Sequence, residues 1–258
     1  MSTRARPSFP ARLNTGASVA SPVSARAAAS APPVPAVQGL GLDSQAVRRA
    51  MVLKLAAQGV QDPRVLDAMG RIERHRFVDS ALAPQAYEDT SLPIGLGQTI
   101  SKPNVVARMI ELLLAAAPQP GARMGRVLEV GTGCGYQAAV LSLVTQEVYS
   151  IERLRGLHDK ARENLRTLRL PNVHLLFGDG MEGFARGAPY AGIIAAAGGE
   201  AVPQAWIDQL AVGGRLVAPV ARTAAGGQAL LVLDKTPAGL QHTLLEAVHF
   251  VPLKSGIA

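Results

Sequence analysis

A chain of 258 residues with 48% hydrophobic side chains can bury one substantial α/β core, and its single cysteine, Cys134, excludes an intrachain disulfide framework or a cysteine-built metal cage. The net charge of +7 is unevenly placed: Arg4, Arg6, Arg12 and Arg26 lie in an acid-free stretch of 40 residues, leaving 22 basic against 19 acidic side chains elsewhere, with no basic face to track phosphates. Nucleic acid is therefore not expected as a partner, and neither is a membrane, since the longest apolar stretches, such as Met109 to Ala117, are short and interrupted by Glu111.

Residues 1–40, dominated by Ala, Pro, Ser and Arg with Phe9 as the lone aromatic, cannot offset the entropy of ordering and read as a disordered tail. The Arg-rich composition also resembles a transit peptide, but the apolar core of a secretion signal is missing. From Asp43 onward Val47, Met51 and Leu55 recur every four residues, with Asp43 or Ser44 to cap and Gly59 to stop a helix. A shorter helix, Pro63 to Met69, follows with Asp62 as its cap. Arg74 to Ile100 reads as loop and short extended pieces, and Ser101-Lys102-Pro103 opens a helix reaching about Ala116.

After Gly125 strand and helix alternate. Strands are expected at Arg126 to Val130, Glu147 to Ile151, Val173 to Phe177, Ala191 to Ala196 and Arg215 to Val220, the last preceded by a Gly213-Gly214 turn. Helices are expected at Tyr136 to Val144, Leu154 to Leu168 and Pro203 to Leu210, and two closing strands at Gln228 to Leu233 and Leu244 to Pro252. This rhythm predicts an α/β fold: a Rossmann-like, doubly wound, mostly parallel sheet with helices on both faces, an antiparallel C-terminal edge, and ligands at the carboxyl ends of the strands. The expected division is a tail over 1–40 and one domain over 41–258, with a helical segment over 41–124 and the core over 125–258.

The sharpest local signal is Val127-Leu128-Glu129-Val130-Gly131-Thr132-Gly133-Cys134-Gly135-Tyr136, a strand running through a glycine turn into a helix. Glycines there let a ligand approach the backbone, although any sharp turn also favours them. Glu152 sits at the next strand end, 21 residues beyond Gly131, where a carboxylate can accept from both hydroxyls of a ribose. That much also suits NAD. The spacing here, however, is G-x-G-x-G rather than G-x-G-x-x-G, and Glu129 just ahead of the loop suits a cationic ligand better than a pyrophosphate. Asp179, ending the third strand, can accept from an adenine amino group. Acids at three successive strand ends point to S-adenosylmethionine, with Glu129, Gly131, Thr132, Gly133, Gly135, Glu152 and Asp179 as binding candidates.

Further motifs carry a family resemblance. Tyr87-Glu88-Asp89, Leu92-Pro93-Ile94-Gly95 and Gly97-Gln98-Thr99-Ile100-Ser101, ahead of the glycine loop, resemble the signature of protein-L-isoaspartate O-methyltransferases. So do Ser150-Ile151-Glu152-Arg153, Gly178-Asp179-Gly180, Ala188-Pro189-Tyr190, Gly213-Gly214-Arg215-Leu216-Val217 and the closing Val248 to Leu253. The resemblance spans roughly Asp43 to Leu253 and leaves the tail unexplained. It implies methyl transfer from S-adenosylmethionine to the free α-carboxylate of L-isoaspartyl residues in damaged proteins and peptides, with 41–124 on the substrate side. It places Ser101 in the active site, Thr99 and Ile100 beside cofactor and substrate, Glu152 at the ribose, and Asp179 and Gly180 at the adenine.

The chemistry suits the inventory. A carboxylate with a pKa of about 4 is already ionised near neutrality, so no strong base is needed and none is visible. Ser101 also reads as a helix N-cap, and the two roles are compatible. Cys134 reads as packing filler, His75 as a surface or helix-end residue, and Trp206 as packing for its helix with the substrate groove as the alternative. Two departures stand out: Ala191 where the family has Asp, and Ala195 to Glu200 where it has Val-Thr-Ala-Ala with prolines. Expected at the carboxyl end of the fourth strand, they leave open another carboxylate acceptor, or a binding module without turnover. No metal site is expected, and the protein is expected to be a cytoplasmic monomer.

Overall fold

The computed structural model describes residues 45–117, 119, 121–222 and 226–258; the expected tail and the Asp43 and Ser44 caps lie outside them. Helix α1 (Gln45–Ala57) buries Met51 and Leu55 but leaves Val47 41% exposed, and Gly59, at φ +103°, takes the left-handed turn beyond it. Helix α2 (Pro63–Arg71) starts as expected, with Asp62 accepting from the amide of Arg64 and proline in the first turn.

The stretch read as loop contains two 3-10 turns, Arg74–Phe77 and Ser80–Gln85, and an antiparallel hairpin of β1 (Leu92–Gly95) and β2 (Gln98–Ile100). Its tip holds Leu96 at φ +52°, a left-handed backbone that costs a branched residue energy. Helix α3 (Pro103–Leu114) then packs against α1 and α2.

The main sheet comprises β3 (Met124–Val130), β4 (Thr145–Glu152), β5 (Val173–Phe177), β6 (Tyr190–Ala195), β7 (Leu210–Ala221), β8 (Gln228–Thr236) and β9 (Gly239–Val248), in the order β5-β4-β3-β6-β7-β8-β9. The first five strands run parallel, and β8 and β9 are antiparallel to their neighbours, giving the expected edge. Helices α4 (Tyr136–Val144), α5 (Arg155–Arg166) and α6 (Gln204–Gln209) fill the connections. Because β4 and β5 lie on one side of β3, and β6 and β7 on the other, the order reverses at the carboxyl end of β3, where open α/β sheets form a ligand crevice.

Alternation along the strands separates two cores. Val127, Val148, Ile194 and Val217 face the helices α1 to α4, while Leu128, Ile193, Leu216 and Leu233 face Trp206 of α6. Arg215 pins the layers together: its guanidinium grips Asp234 of β8 at 2.7 and 2.8 Å and donates to Leu112 O in α3 at 3.0 Å.

Two sequence expectations need correction here. Gly213-Gly214 is not a turn before a strand but an irregularity inside β7: between the pairs Tyr190 with Leu210 and Gly192 with Arg215, β7 carries more residues than β6. The last strand starts at Gly239, not Leu244, and ends at Val248, because pairing with β8 outweighs the polar composition of its first half.

Candidate active site

A cavity of about 470 Å³ opens at the carboxyl ends of β3, β4 and β6. The glycine loop forms its floor. Gly131 and Gly133 adopt φ of +91° and +56°, and the amides of Gly131 and Thr132 continue the pairing onto Ile151 O. The β1–β2 hairpin covers one side, tied down by Lys160 Nζ donating to Ile94 O at 3.0 Å. A C-terminal strap, Val251 to Lys254, covers another. It is laced to the stretch after β6 by Gly198 N donating to Val251 O and Leu253 N to Gly198 O, at 2.9 and 2.8 Å. Farther on, Gly256 N donates to Asp179 Oδ2 at 2.5 Å and Arg155 N to Ala258 O at 2.8 Å.

Of the residues singled out in the sequence, Thr99, Ile100, Ser101, Gly131, Thr132, Gly133, Glu152 and Gly180 line this one cavity. Glu152, 5% exposed, is held by two backbone donors, Gly133 N on Oε2 and Leu154 N on Oε1, both at 2.9 Å. A carboxylate has about four acceptor sites, so lone pairs remain for a ligand's hydroxyls. Gly180 is close-packed: a Cβ there would stand 2.6 Å from Val130 Cγ1.

Three candidates lie outside the lining. Gly135 starts α4 at φ +90° with its backbone against Leu165 of α5, 3.1 Å from where a Cβ would stand, so its absent side chain serves helix packing. Asp179 spends its carboxylate on Met181 N and Gly256 N, capping a 3-10 turn and tethering the strap. Glu129 is wholly buried beneath the loop and accepts from Ser150 Oγ, which also bonds Thr132 Oγ1. Burial pushes its pKa up to about 8, against the opposing influence of Ser150 and Gln137. Among the described residues its Oε1 has no well-formed hydrogen bond, and neither does Nε2 of the cavity-lining Gln137, although the two side chains stand close enough for Gln137 to favour the ionised carboxyl.

Ser101 is not the N-cap of α3. Lys102 occupies that position without a side-chain bond, and Asp89 Oδ1 accepts from Asn104 N at 3.0 Å instead, leaving the Ser101 hydroxyl with no protein partner among the described residues. The Ser101 carbonyl accepts from Arg74 Nη2 at 2.7 Å. His75, read as a surface or helix-end residue, is instead half-buried inside a 3-10 turn, its Nδ1 2.7 Å from Tyr87 Oη. Cys134 is 3% exposed, and burial raises its thiol pKa to about 11, which fits packing filler. Trp206 packs α6 on the sheet and donates to Gly180 O at 2.7 Å. The departures are absorbed locally. Ala191 lies at the amino end of β6, against Gly125 and away from the cavity, so only Ala196 and Ala197 of the altered stretch face it.

Sequence reasoning missed Arg74, the hairpin residues Ile94 and Leu96, and the strap; a cation inside Glu73-Arg74-His75-Arg76 and a short apolar Val251 to Leu253 carry no local signal of such placement. Among the described residues no group of three or more His, Cys, Asp or Glu is arranged to hold a metal.

Known proteins extend this picture. The protein-L-isoaspartate(D-aspartate) O-methyltransferase (PCMT) family profile matches residues 46–258. A protein-L-isoaspartate O-methyltransferase of Methylibium petroleiphilum is 64% identical over 219 residues, covering 84% of this chain and 81% of its own, and one of Ralstonia nicotianae is 58% identical over 227, covering 84% and 71%. A solved protein-L-isoaspartate O-methyltransferase superposes with a TM-score of 0.72 at 29% identity, over 81% of this chain and 67% of its own. A Plasmodium falciparum beta-aspartate methyltransferase in complex with S-adenosyl-L-homocysteine shares the fold at a TM-score of 0.69 and 23% identity, over 80% and 98%. With the family match running unbroken from α1 to the last residue, and relatives this close, the chain belongs to the protein-L-isoaspartate(D-aspartate) O-methyltransferase family.

Proposed function

We propose that this enzyme transfers a methyl group from S-adenosylmethionine to the free α-carboxylate of L-isoaspartyl residues in damaged proteins and peptides, a repair reaction. The family match over residues 46–258 carries the reading. The residues fit the donor. Gln137 Nε2, a buried donor on the cavity wall, suits the carboxylate of its amino-acid end, and Glu129, beneath the loop beside it, would draw the ammonium by its charge without facing the cavity. Gly131, Thr132 and Gly133 would pass beneath its middle, Glu152 would accept from the ribose, and Gly180 would border the adenine. Asp179 acts through the turn that sets Gly180.

The donor supplies a methyl carbon on a positively charged sulfur. Chain residues then have one main task, to hold an already ionised carboxylate in line with that carbon while keeping water out. The Ser101 hydroxyl, free of partners among the described residues, orients the carboxylate, and Thr99 and Ile100 position it from the hairpin. No proton has to be removed from the acceptor, so the lining carboxylate, Glu152, need not act as a base. Residues 41–124 would form the substrate side and 125–258 the donor side. No described helix is long and apolar enough to cross a membrane. The lone, unreactive cysteine accords with a cytoplasmic enzyme, proposed here as a monomer.

The test is transfer of labelled methyl to a synthetic L-isoaspartyl peptide beside its L-aspartyl counterpart. Base-labile label on the isoaspartyl peptide alone supports the reading. Label on neither, with S-adenosylhomocysteine still bound, would turn the search toward a different carboxylate.

A further inference from the structure

Arg74 is completely buried, and its hydrogen-bond partners are backbone carbonyls: Nε donates to Ala86 O and Nη2 to Ser101 O, both at 2.7 Å, with Thr90 O at 3.5 Å. Nη1 has no partner. No carboxylate forms an ion pair with it among the described residues; Asp89, whose charge it feels, is already committed to Asn104 N and Gln58 Nε2. The guanidinium lies 4.9 Å from the ring centroid of Tyr136, and Tyr136 and Ser101 both line the cavity. An unneutralised cation therefore stands directly behind the cavity wall at the Ser101 end.

Burying such a charge is costly, and arginine cannot escape by losing its proton. A neutral donor would tie the same carbonyls with far less desolvation. What only the charge provides is a positive potential, weakly screened in the low-dielectric wall. That potential disfavours the cationic end of the methyl donor and favours an anion, so it suits the acceptor. We propose that Arg74 is a positioning residue for the acceptor: it fixes the Ser101 backbone and gives that end of the cavity the positive potential that selects an ionised carboxylate. The inference rests on the isoaspartyl reading above.

The test measures binding of two peptides to the enzyme saturated with S-adenosylhomocysteine, one ending its isoaspartyl unit in the α-carboxylate and the other in the α-carboxamide. Binding does not depend on turnover, so absence of methyl transfer would sink the isoaspartyl reading without deciding this one. The wild type is expected to prefer the carboxylate by roughly tenfold or more. Arg74→Gln, which keeps a donor but no charge, is expected to lose the preference and raise the peptide KM while S-adenosylhomocysteine affinity holds; Arg74→Lys should retain the preference with a lower kcat. Equal binding of both peptides by the wild type overturns the proposal, as does Arg74→Gln with an unchanged preference. Should Arg74→Gln fail to fold, a lysine variant that loses the preference despite its charge overturns it, and one that keeps it upholds it.

Discussion

The indole Nε1 of Trp206 donates to the carbonyl of Gly180 over 2.7 Å, so a helix on one face of the sheet fixes a backbone position that lines the cavity. Trp206→Phe keeps much of the apolar packing but leaves that buried carbonyl unpaired. Stability in urea unfolding is expected to fall by about 1–2 kcal/mol, and titration should show weaker S-adenosylhomocysteine binding. Unchanged affinity would detach Trp206 from the site.

Gly180→Ala tests the same position from the other side. A Cβ would stand 2.6 Å from Val130 Cγ1, a stiff, buried neighbour. The turn must shift, so the cost is expected to be about 1–3 kcal/mol, with loss of donor binding at concentrations that saturate the wild type. An alanine variant with wild-type melting temperature and affinity would contradict the packing argument.

Ser101→Ala removes a hydroxyl without a protein partner, so stability should change by less than about 0.5 kcal/mol. Steady-state kinetics should instead show kcat reduced by about tenfold or more while S-adenosylhomocysteine affinity holds, because orientation of the carboxylate is lost. Intact turnover would remove its assignment.

Glu129 gives the binding reaction a pH signature. Its folded pKa, about 8, lies above the ordinary 4.5, so the folded protein holds a proton that the unfolded chain releases. Its contribution to stability is therefore greatest below pH 4.5 and declines as pH rises through about 8. A donor ammonium favours the ionised form, so S-adenosylhomocysteine binding near pH 7 should release a proton and strengthen as pH rises toward 8. Calorimetry in buffers of different ionisation enthalpy reads that proton, and Glu129→Gln should abolish it.

Cys134, with its thiol pKa raised to about 11 and little exposure, should resist iodoacetamide at pH 7.5 in the folded protein and react on denaturation. Rapid modification of the native enzyme would mean that the glycine loop opens.

The alternation of Arg126 to Val130, Tyr136 to Val144 and Val173 to Phe177 was readable because strand and helix periods are local properties of the chain. Two of those elements match the structure to the residue. The glycine loop and Glu152 were legible for a related reason: a tight turn and the end of the next strand are separated by a fixed length of helix and strand. Ser101 shows where this ends. Its sequence context describes an N-cap, yet Asp89 takes that task from 15 residues away, and the hydroxyl is left without a partner among the described residues.

By itself, then, the sequence determined the order of elements, the loop at the head of β3 and the family to which the chain belongs, all encoded in contiguous residues. Tertiary structure alone decided that Glu129 is buried beneath the loop rather than facing the cavity, that Asp179 tethers the C-terminal strap, and that Arg74 stands uncompensated behind Ser101. Burial and partnership depend on segments distant in the chain being folded together, and a side chain's charge, pKa and freedom to meet a ligand follow from those neighbours rather than from its own place in the sequence.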